Sequence, residues 1–134
     1  MSNQALIHPF DVLMPAAGSG SRFGAGDKLL VDLAGQSVLQ RSVELFARRP
    51  EVGPIVIITA PARFDSYRTH LLQSPVALRT AEDLAARLHF VAGGRERWES
   101  VLFGLRYLAG LMPAARFVAI HDAARPLTPS GVIN

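Results

Sequence analysis

The chain has 134 residues, 49% of them apolar and 19% charged, with a formal net charge of +3; this is the composition of an ordinary globular protein with chain enough for one core and too little for two. Cysteine is absent, which excludes disulfides, thiolate zinc sites and cysteine nucleophiles. The basic residues are scattered (Arg22, Lys28, Arg41, Arg48, Arg49, Arg63, Arg68, Arg79), a distribution that suits small anionic ligands and argues against duplex nucleic acid as a partner.

Residues 1–9 carry neither the basic start nor the apolar stretch of a signal peptide, and no run approaches the roughly 20 apolar residues of a membrane span. The expectation is a cytoplasmic protein with no membrane partner. Residues 11–14 read as a first buried strand. Val38, Leu39, Ser42, Val43, Leu45 and Phe46 then recur at helical spacing, with Arg48, Arg49 and Pro50 marking the end of that helix. Residues 54–59 are β-branched and apolar on both parities, which predicts a central strand covered on both faces. A helix is expected over 63–72, and 75–88 is ambiguous apart from a short helix after Thr80. A third strand over 89–92 ends at Gly93 and Gly94. Residues 97–111 predict an amphipathic helix buried through Trp98, Val101, Leu102, Leu105 and Leu108, with Ser100 and Gly104 on other faces. A fourth strand follows over 116–121.

Strands separated by helices of about ten to fifteen residues imply right-handed crossovers, hence an α/β fold whose parallel sheet has helices on both faces. Ligands bind such sheets outside the carboxyl ends of the strands. Three of those ends are polar, glycine-rich or charged: residues 15–20, 93–97 and 121–126.

The first of them brings small residues and two cations, Arg22 and Lys28, to the end of an apolar strand. It is not the dinucleotide fingerprint, because Gly18, Gly20 and Gly24 have one residue too many between the second and third glycine. Nor is it a Walker loop, because Lys28 follows Asp27 and precedes Leu29. From the residues alone it is either a phosphate cradle or a surface connection. Asp122, immediately after the fourth strand, is likewise either a turn cap or an oxygen ligand for magnesium, an ion that usually takes one or two carboxylates plus phosphate oxygens and water. His121 beside it reads as a packing or orienting residue rather than a general base. Trp98 reads as a core or helix-packing aromatic rather than a base-stacking one.

Three segments together, Pro15-Ala16-Ala17-Gly18-Ser19-Gly20-Ser21-Arg22, Gly93-Gly94-x-x-Arg97-x-x-Ser100-Val101 and His121-Asp122-Ala123-Ala124-Arg125-Pro126, resemble in order and spacing the signatures of the 2-C-methyl-D-erythritol 4-phosphate cytidylyltransferase family. The resemblance runs from Asp11 onward and implies a Rossmann-like sheet of the nucleotidyltransferase type. It also implies cytidylyl transfer from CTP to 2-C-methyl-D-erythritol 4-phosphate, giving the CDP-alcohol and pyrophosphate, with Mg²⁺ as cofactor. On that resemblance Pro15, Ala16, Ala17, Gly18, Ser19 and Gly20 would wrap the triphosphate, and Arg22 and Lys28 would be catalytic, neutralising charge that builds on the phosphates. Gly93, Gly94 and Ser100 would contact the nucleoside, with Arg97 holding their loop and Ala123 approaching the nucleotide. Asp122 would bind the metal, and Arg125 would meet the acceptor phosphate.

The chain departs from the pattern at Asp27-Lys28-Leu29, where Pro-Lys-Gln is common, and at Arg95, where an acidic residue is often found. Members of the family are homodimers and run well past position 134, the further part supplying strands, a dimer arm and much of the acceptor site. The expectation is a single nucleotidyltransferase domain over 1–134, incomplete at its C-terminus, with acceptor binding and turnover impaired. Ribitol 5-phosphate or a sugar phosphate as acceptor, and a non-catalytic CTP-binding fragment, are the alternatives.

Overall fold

The computed structural model describes residues 10–16, 28–73, 81–111 and 117–124. Strand β1 (Phe10–Pro15) is followed by a 3-10 turn at Lys28–Leu30 and a small hairpin of β2 (Asp32–Leu33) and β3 (Gln36–Ser37). Next come helix α1 (Val38–Ala47), strand β4 (Val52–Thr59), helices α2 (Phe64–Leu72) and α3 (Ala81–Arg87), strand β5 (Leu88–Ala92), helix α4 (Arg97–Ala109) and strand β6 (Phe117–Ile120). The expected α/β fold is present, with strand and helix positions within a few residues of those predicted.

The main sheet has the order β5-β4-β1-β6, and every pair in it is parallel. Val12, Met14, Ile55 and Ile57 face α1, α2 and α3 through Leu39, Val43, Phe46, Tyr67, Leu71 and Leu84. Leu13, Val56 and Ile58 face the opposite layer and pack with Leu108 of α4. Helices therefore cover both faces, which is why β1 and β4 read as unbroken apolar runs. Strand β4 starts two residues earlier than predicted. Pro54, lacking an N–H, is accommodated where the β1 register shifts from Phe10↔Val52 to Val12↔Ile55, and a bulge of that kind is where a strand tolerates proline.

The β2–β3 hairpin was not foreseen. Its turn residues Ala34 and Gly35 both have positive φ, 56° and 96°, as a two-residue hairpin turn demands, and the Gly35 amide donates to Asp32 Oδ2. The hairpin delivers Ser37 as N-cap of α1. Ser37 Oγ accepts from the Gln40 amide (3.0 Å), and Gln40 Oε1 accepts from the Ser37 amide (2.8 Å), a reciprocal box.

Helix α4 corrects the predicted burial. The residues turned inward are Ser100, Gly104 and Leu108, whereas Trp98 is 65% exposed and Leu105 40% exposed, so the expectation of Trp98 as a core aromatic fails. The cause is how closely α4 approaches the sheet. A Cβ on Gly104 would lie 2.8 Å from Ile58 Cδ1 and 2.9 Å from Leu13 Cδ2, so only a small residue fits the contact line and the bulky ones are displaced to its flanks. No helix among the described residues is long and apolar enough to cross a membrane.

Arg87 binds the lower end of the domain together. Its guanidinium donates to the carbonyls of Ala47 (2.9 Å), Val52 (2.8 Å) and Gly53 (3.4 Å) and pairs with Asp83 (3.2 Å). Removing it leaves three backbone carbonyls, at the end of α1 and the start of β4, without their shared donor, so Arg87→Ala is expected to lower unfolding free energy by about 2–3 kcal/mol. Arg87→Lys should recover only part of that, since an ammonium lacks the fork geometry; urea unfolding measures both.

On the outer strand, His89 Nδ1 lies 2.7 Å from the Tyr107 hydroxyl, and the ring's pKa is lowered from its ordinary 6.5 by burial and then by the positive charge of Arg68. The unfolded chain therefore takes up this proton more readily than the folded one. The His89 contribution to stability is intact above pH 6.5 and is lost as pH falls below it. His89→Gln should flatten the fall in urea midpoint measured between about pH 7 and about pH 5.

Candidate functional site

The chain leaves β1 toward β4 through α1 on one face and returns from β5 to β6 through α4 on the other. Strand order reverses at β1, which has β4 on one side and β6 on the other, and open α/β sheets bind ligands outside the carboxyl ends of the strands at such a reversal.

At the end of β1, Pro15 and Ala16 are buried, and the Ala16 amide donates to the Ile58 carbonyl (2.8 Å), so pairing with β4 continues to the last residue before the glycine loop. Ala17, Gly18, Ser19, Gly20 and Arg22 lie outside the described residues, as does Arg125. Lys28 opens the 3-10 turn and is partly exposed. Its neighbour Leu29 is fully buried in the main core, which accounts for an apolar residue at a position where glutamine is common: here the side chain anchors the turn that carries Lys28.

The loop after β5 is folded onto the start of α4. The Gly93 amide donates to the Thr59 carbonyl (3.1 Å), and the Gly94 amide to Ser100 Oγ (3.1 Å). The amides of Arg95 and Glu96 both donate to Glu99 Oε1 (2.8 and 2.9 Å). Ser100 is only 1% exposed, so its hydroxyl acts in this structure as the pin of Gly94. Gly94 has no room for a side chain, since a Cβ there would stand 2.5 Å from Glu99 Cβ. Three successive loop amides are thus satisfied internally, and the loop's shape is set before any ligand arrives.

The turn after β6 is held from several sides. The His121 amide donates to the Leu13 carbonyl (2.9 Å) and the Ala123 amide to the Pro15 carbonyl (3.1 Å), which extends the register with β1 beyond the strand. The His121 ring meets the Phe46 ring edge-on, centroids 5.2 Å apart, in keeping with the packing role expected for it. Arg97 Nε donates to Asp122 Oδ1 at 3.1 Å. That pair ties the Gly93–Gly94 loop to the turn after β6 across the mouth. Ser42 Oγ on α1 donates to the Ala123 carbonyl at 2.5 Å.

Of the residues singled out in the sequence, the structure brings Pro15, Ala16, Arg97, Asp122 and Ala123 to the β1/β6 mouth, and it joins Gly93, Gly94 and Ser100 to them through Arg97. Two contributors were not anticipated, Glu99 and Ser42. Glu99 had the signal of an acid three residues after Glu96 at a helix start, and Ser42 that of a polar residue inside an apolar helical stripe. Among the described residues no group of three or more His, Asp or Glu is placed to hold a metal. A cation here would have Asp122 as its protein carboxylate and would complete its shell from phosphate and water, the usual manner of magnesium.

Parallel strands ordered around a reversal at β1, with the Gly93–Gly94 loop and an Arg–Asp pair at their carboxyl ends, define a Rossmann-like α/β domain. Residues 10–134 match the family model described as 2-C-methyl-D-erythritol 4-phosphate cytidylyltransferase. Curated relatives of that name include one from Saccharopolyspora erythraea, 38% identical over 123 residues that cover 91% of this chain and 50% of the relative. Another, from Syntrophotalea carbinolica, is 38% identical over 124 residues covering 92% and 49%. The chain belongs to the 2-C-methyl-D-erythritol 4-phosphate cytidylyltransferase family. It spans about half the length of the curated relatives it matches.

Solved structures agree on the fold. A 4-diphosphocytidyl-2C-methyl-D-erythritol synthase superposes with a TM-score of 0.67 at 24% identity, covering 94% of this chain and 51% of that one. The synthase from Anaerococcus prevotii gives 0.66 at 21% identity, covering 92% and 47%.

Gly94→Ala tests the preset loop. The added methyl collides with the first turn of α4, so the variant is expected to lose about 1–3 kcal/mol of stability and to exchange the Arg95 and Glu96 amides faster, with amides in the middle of β4 unchanged; unchanged exchange at both loop positions would contradict the description.

Proposed function

We propose that this chain carries the CTP-binding half of a cytidylyl transfer from CTP to 2-C-methyl-D-erythritol 4-phosphate, giving 4-diphosphocytidyl-2-C-methyl-D-erythritol and pyrophosphate. The observation that carries the reading is the Arg97–Asp122 pair, which joins the two most specific motif segments at the strand-order reversal in a chain that matches the family over residues 10–134.

In this reading an oxygen of the acceptor phosphate attacks the α-phosphorus of CTP, a P–O bond to the β-phosphate breaks, and pyrophosphate leaves with the electron pair. No covalent enzyme intermediate is formed. Catalysis is then positioning plus charge stabilisation. Residues 15–20 wrap the triphosphate, Arg22 and Lys28 neutralise the charge that grows on its oxygens, and Arg125 meets the acceptor phosphate. Gly93 and Gly94 offer backbone to the nucleoside, with Ser100 fixing their loop from behind. Asp122 would hold the magnesium ion, whose chemistry would be to screen the charge of the phosphates. A cytoplasmic setting belongs to this reading, while the arm through which family members form homodimers lies, on the resemblance, past position 134.

Calorimetric titration with CTP and Mg²⁺ is the test. Saturable binding is expected, with CTP preferred over ATP and GTP and weakened at least about tenfold in Lys28→Ala, the loss of one charge-assisted contact to phosphate. Absence of binding, or preference for a purine nucleotide, would overturn the assignment; turnover with ribitol 5-phosphate but not methylerythritol phosphate would overturn the acceptor.

A further inference from the structure

Ser42 sits in the middle of α1, among Leu39, Val43 and Phe46, and is fully buried. Serine is a mediocre helix former, and a buried hydroxyl is unfavourable unless it is hydrogen-bonded. An alanine would satisfy the helix and the core equally well. What the hydroxyl does instead is donate to the carbonyl of Ala123, 81 positions away in sequence, at 2.5 Å. Ala123 is itself fully buried, so without Ser42 its carbonyl would lose that donor.

We propose that Ser42 is a positioning residue for the nucleotide site, holding the turn that presents Asp122. The peptide unit before Ala123 is fixed by its amide on the Pro15 carbonyl (3.1 Å), and the peptide unit after it by the Ser42 hydroxyl. Together these two bonds restrain both backbone dihedrals of Ala123. From the α4 layer Arg97 draws the Asp122 carboxylate across the mouth at 3.1 Å. From the α1 layer Ser42 holds the backbone, and Phe46, one helical turn on, holds the His121 ring. The carboxylate is thereby placed from both sides of the sheet, and Ser42 acts on it without touching any ligand. This inference rests on the reading of the mouth as a CTP–magnesium site.

Two variants separate positioning from packing. Ser42→Ala removes the donor. Ser42→Cys keeps the volume but donates weakly. In both, the strengthening of CTP binding by Mg²⁺ should fall about fivefold, the worth of one hydrogen bond, a larger loss than that of CTP affinity measured without Mg²⁺. Amide exchange at Ala123 should accelerate in both, with the middle of β4 unchanged. Wild-type exchange at Ala123 in Ser42→Ala, or a Ser42→Cys protein with wild-type exchange and wild-type Mg²⁺ dependence, would overturn the proposal. If the wild-type chain itself fails to bind CTP, the functional reading falls and with it the nucleotide role of Ser42; unchanged CTP binding by the wild type alongside unaltered variants defeats the positioning role alone.

Discussion

Strand β1 is the constraint on which the rest of this domain depends. It is hydrogen-bonded on both edges, to β4 and to β6, and buried on both faces. Its pairing does not stop where the strand does. The Ala16 amide reaches the Ile58 carbonyl on one side, and the carbonyls of Leu13 and Pro15 receive the amides of His121 and Ala123 on the other. The loop after β1 and the turn after β6 therefore start from one rigid edge, so side chains more than 100 positions apart in sequence share a fixed origin. A buried parallel strand is among the least deformable supports available for such a site.

The polar groups around the mouth follow from that support. Glu99 and Ser100 take up the amides of residues 94–96, and Ser42 takes the carbonyl of Ala123. The Ser42 bond satisfies a buried carbonyl, whereas the bonds to Glu99 and Ser100 engage exposed or half-buried amides and serve to fix the shape of their loop. A preset loop loses less conformational entropy when a ligand binds. The Arg97–Asp122 pair is different in kind, being partly exposed on both partners. Its net contribution to stability is small by the ordinary standard of surface ion pairs, and its significance is that it aligns two loops.

Legibility in the sequence tracked how local each cause was. The β-branched run in β4 and the apolar stripe of α1 are properties of consecutive residues, and both elements lie where those residues predict them. The first two residues of β4 were concealed by Gly53, which reads as a boundary before Pro54, and only the register shift opposite β1 explains how the strand runs through both. The β2–β3 hairpin has two-residue strands, too short to show any period. Helix α4 was placed correctly but its buried face was not, because hydrophobicity pointed to Trp98 and Leu105 while the close approach to Leu13 and Ile58 selected Gly104. The site divides in the same way. Gly93, Gly94, Arg97, Ser100 and Asp122 stand in compact motifs and were readable. Ser42 shows only as a polar residue inside an apolar stripe; its partner Ala123, 81 positions away, cannot be read from the local sequence.

The central claim is that the carboxyl ends of β1, β5 and β6 form one nucleotide site. Mapping backbone amide shifts on titration with CTP and Mg²⁺ tests it most directly. Saturable shifts are expected, concentrated at Ala16, Lys28, Gly93, Gly94 and residues 121–124, with the opposite ends of the strands, at Phe10, Val52 and Phe117, unmoved. Shifts gathered at those opposite ends, or scattered over the surface without saturation, would contradict it.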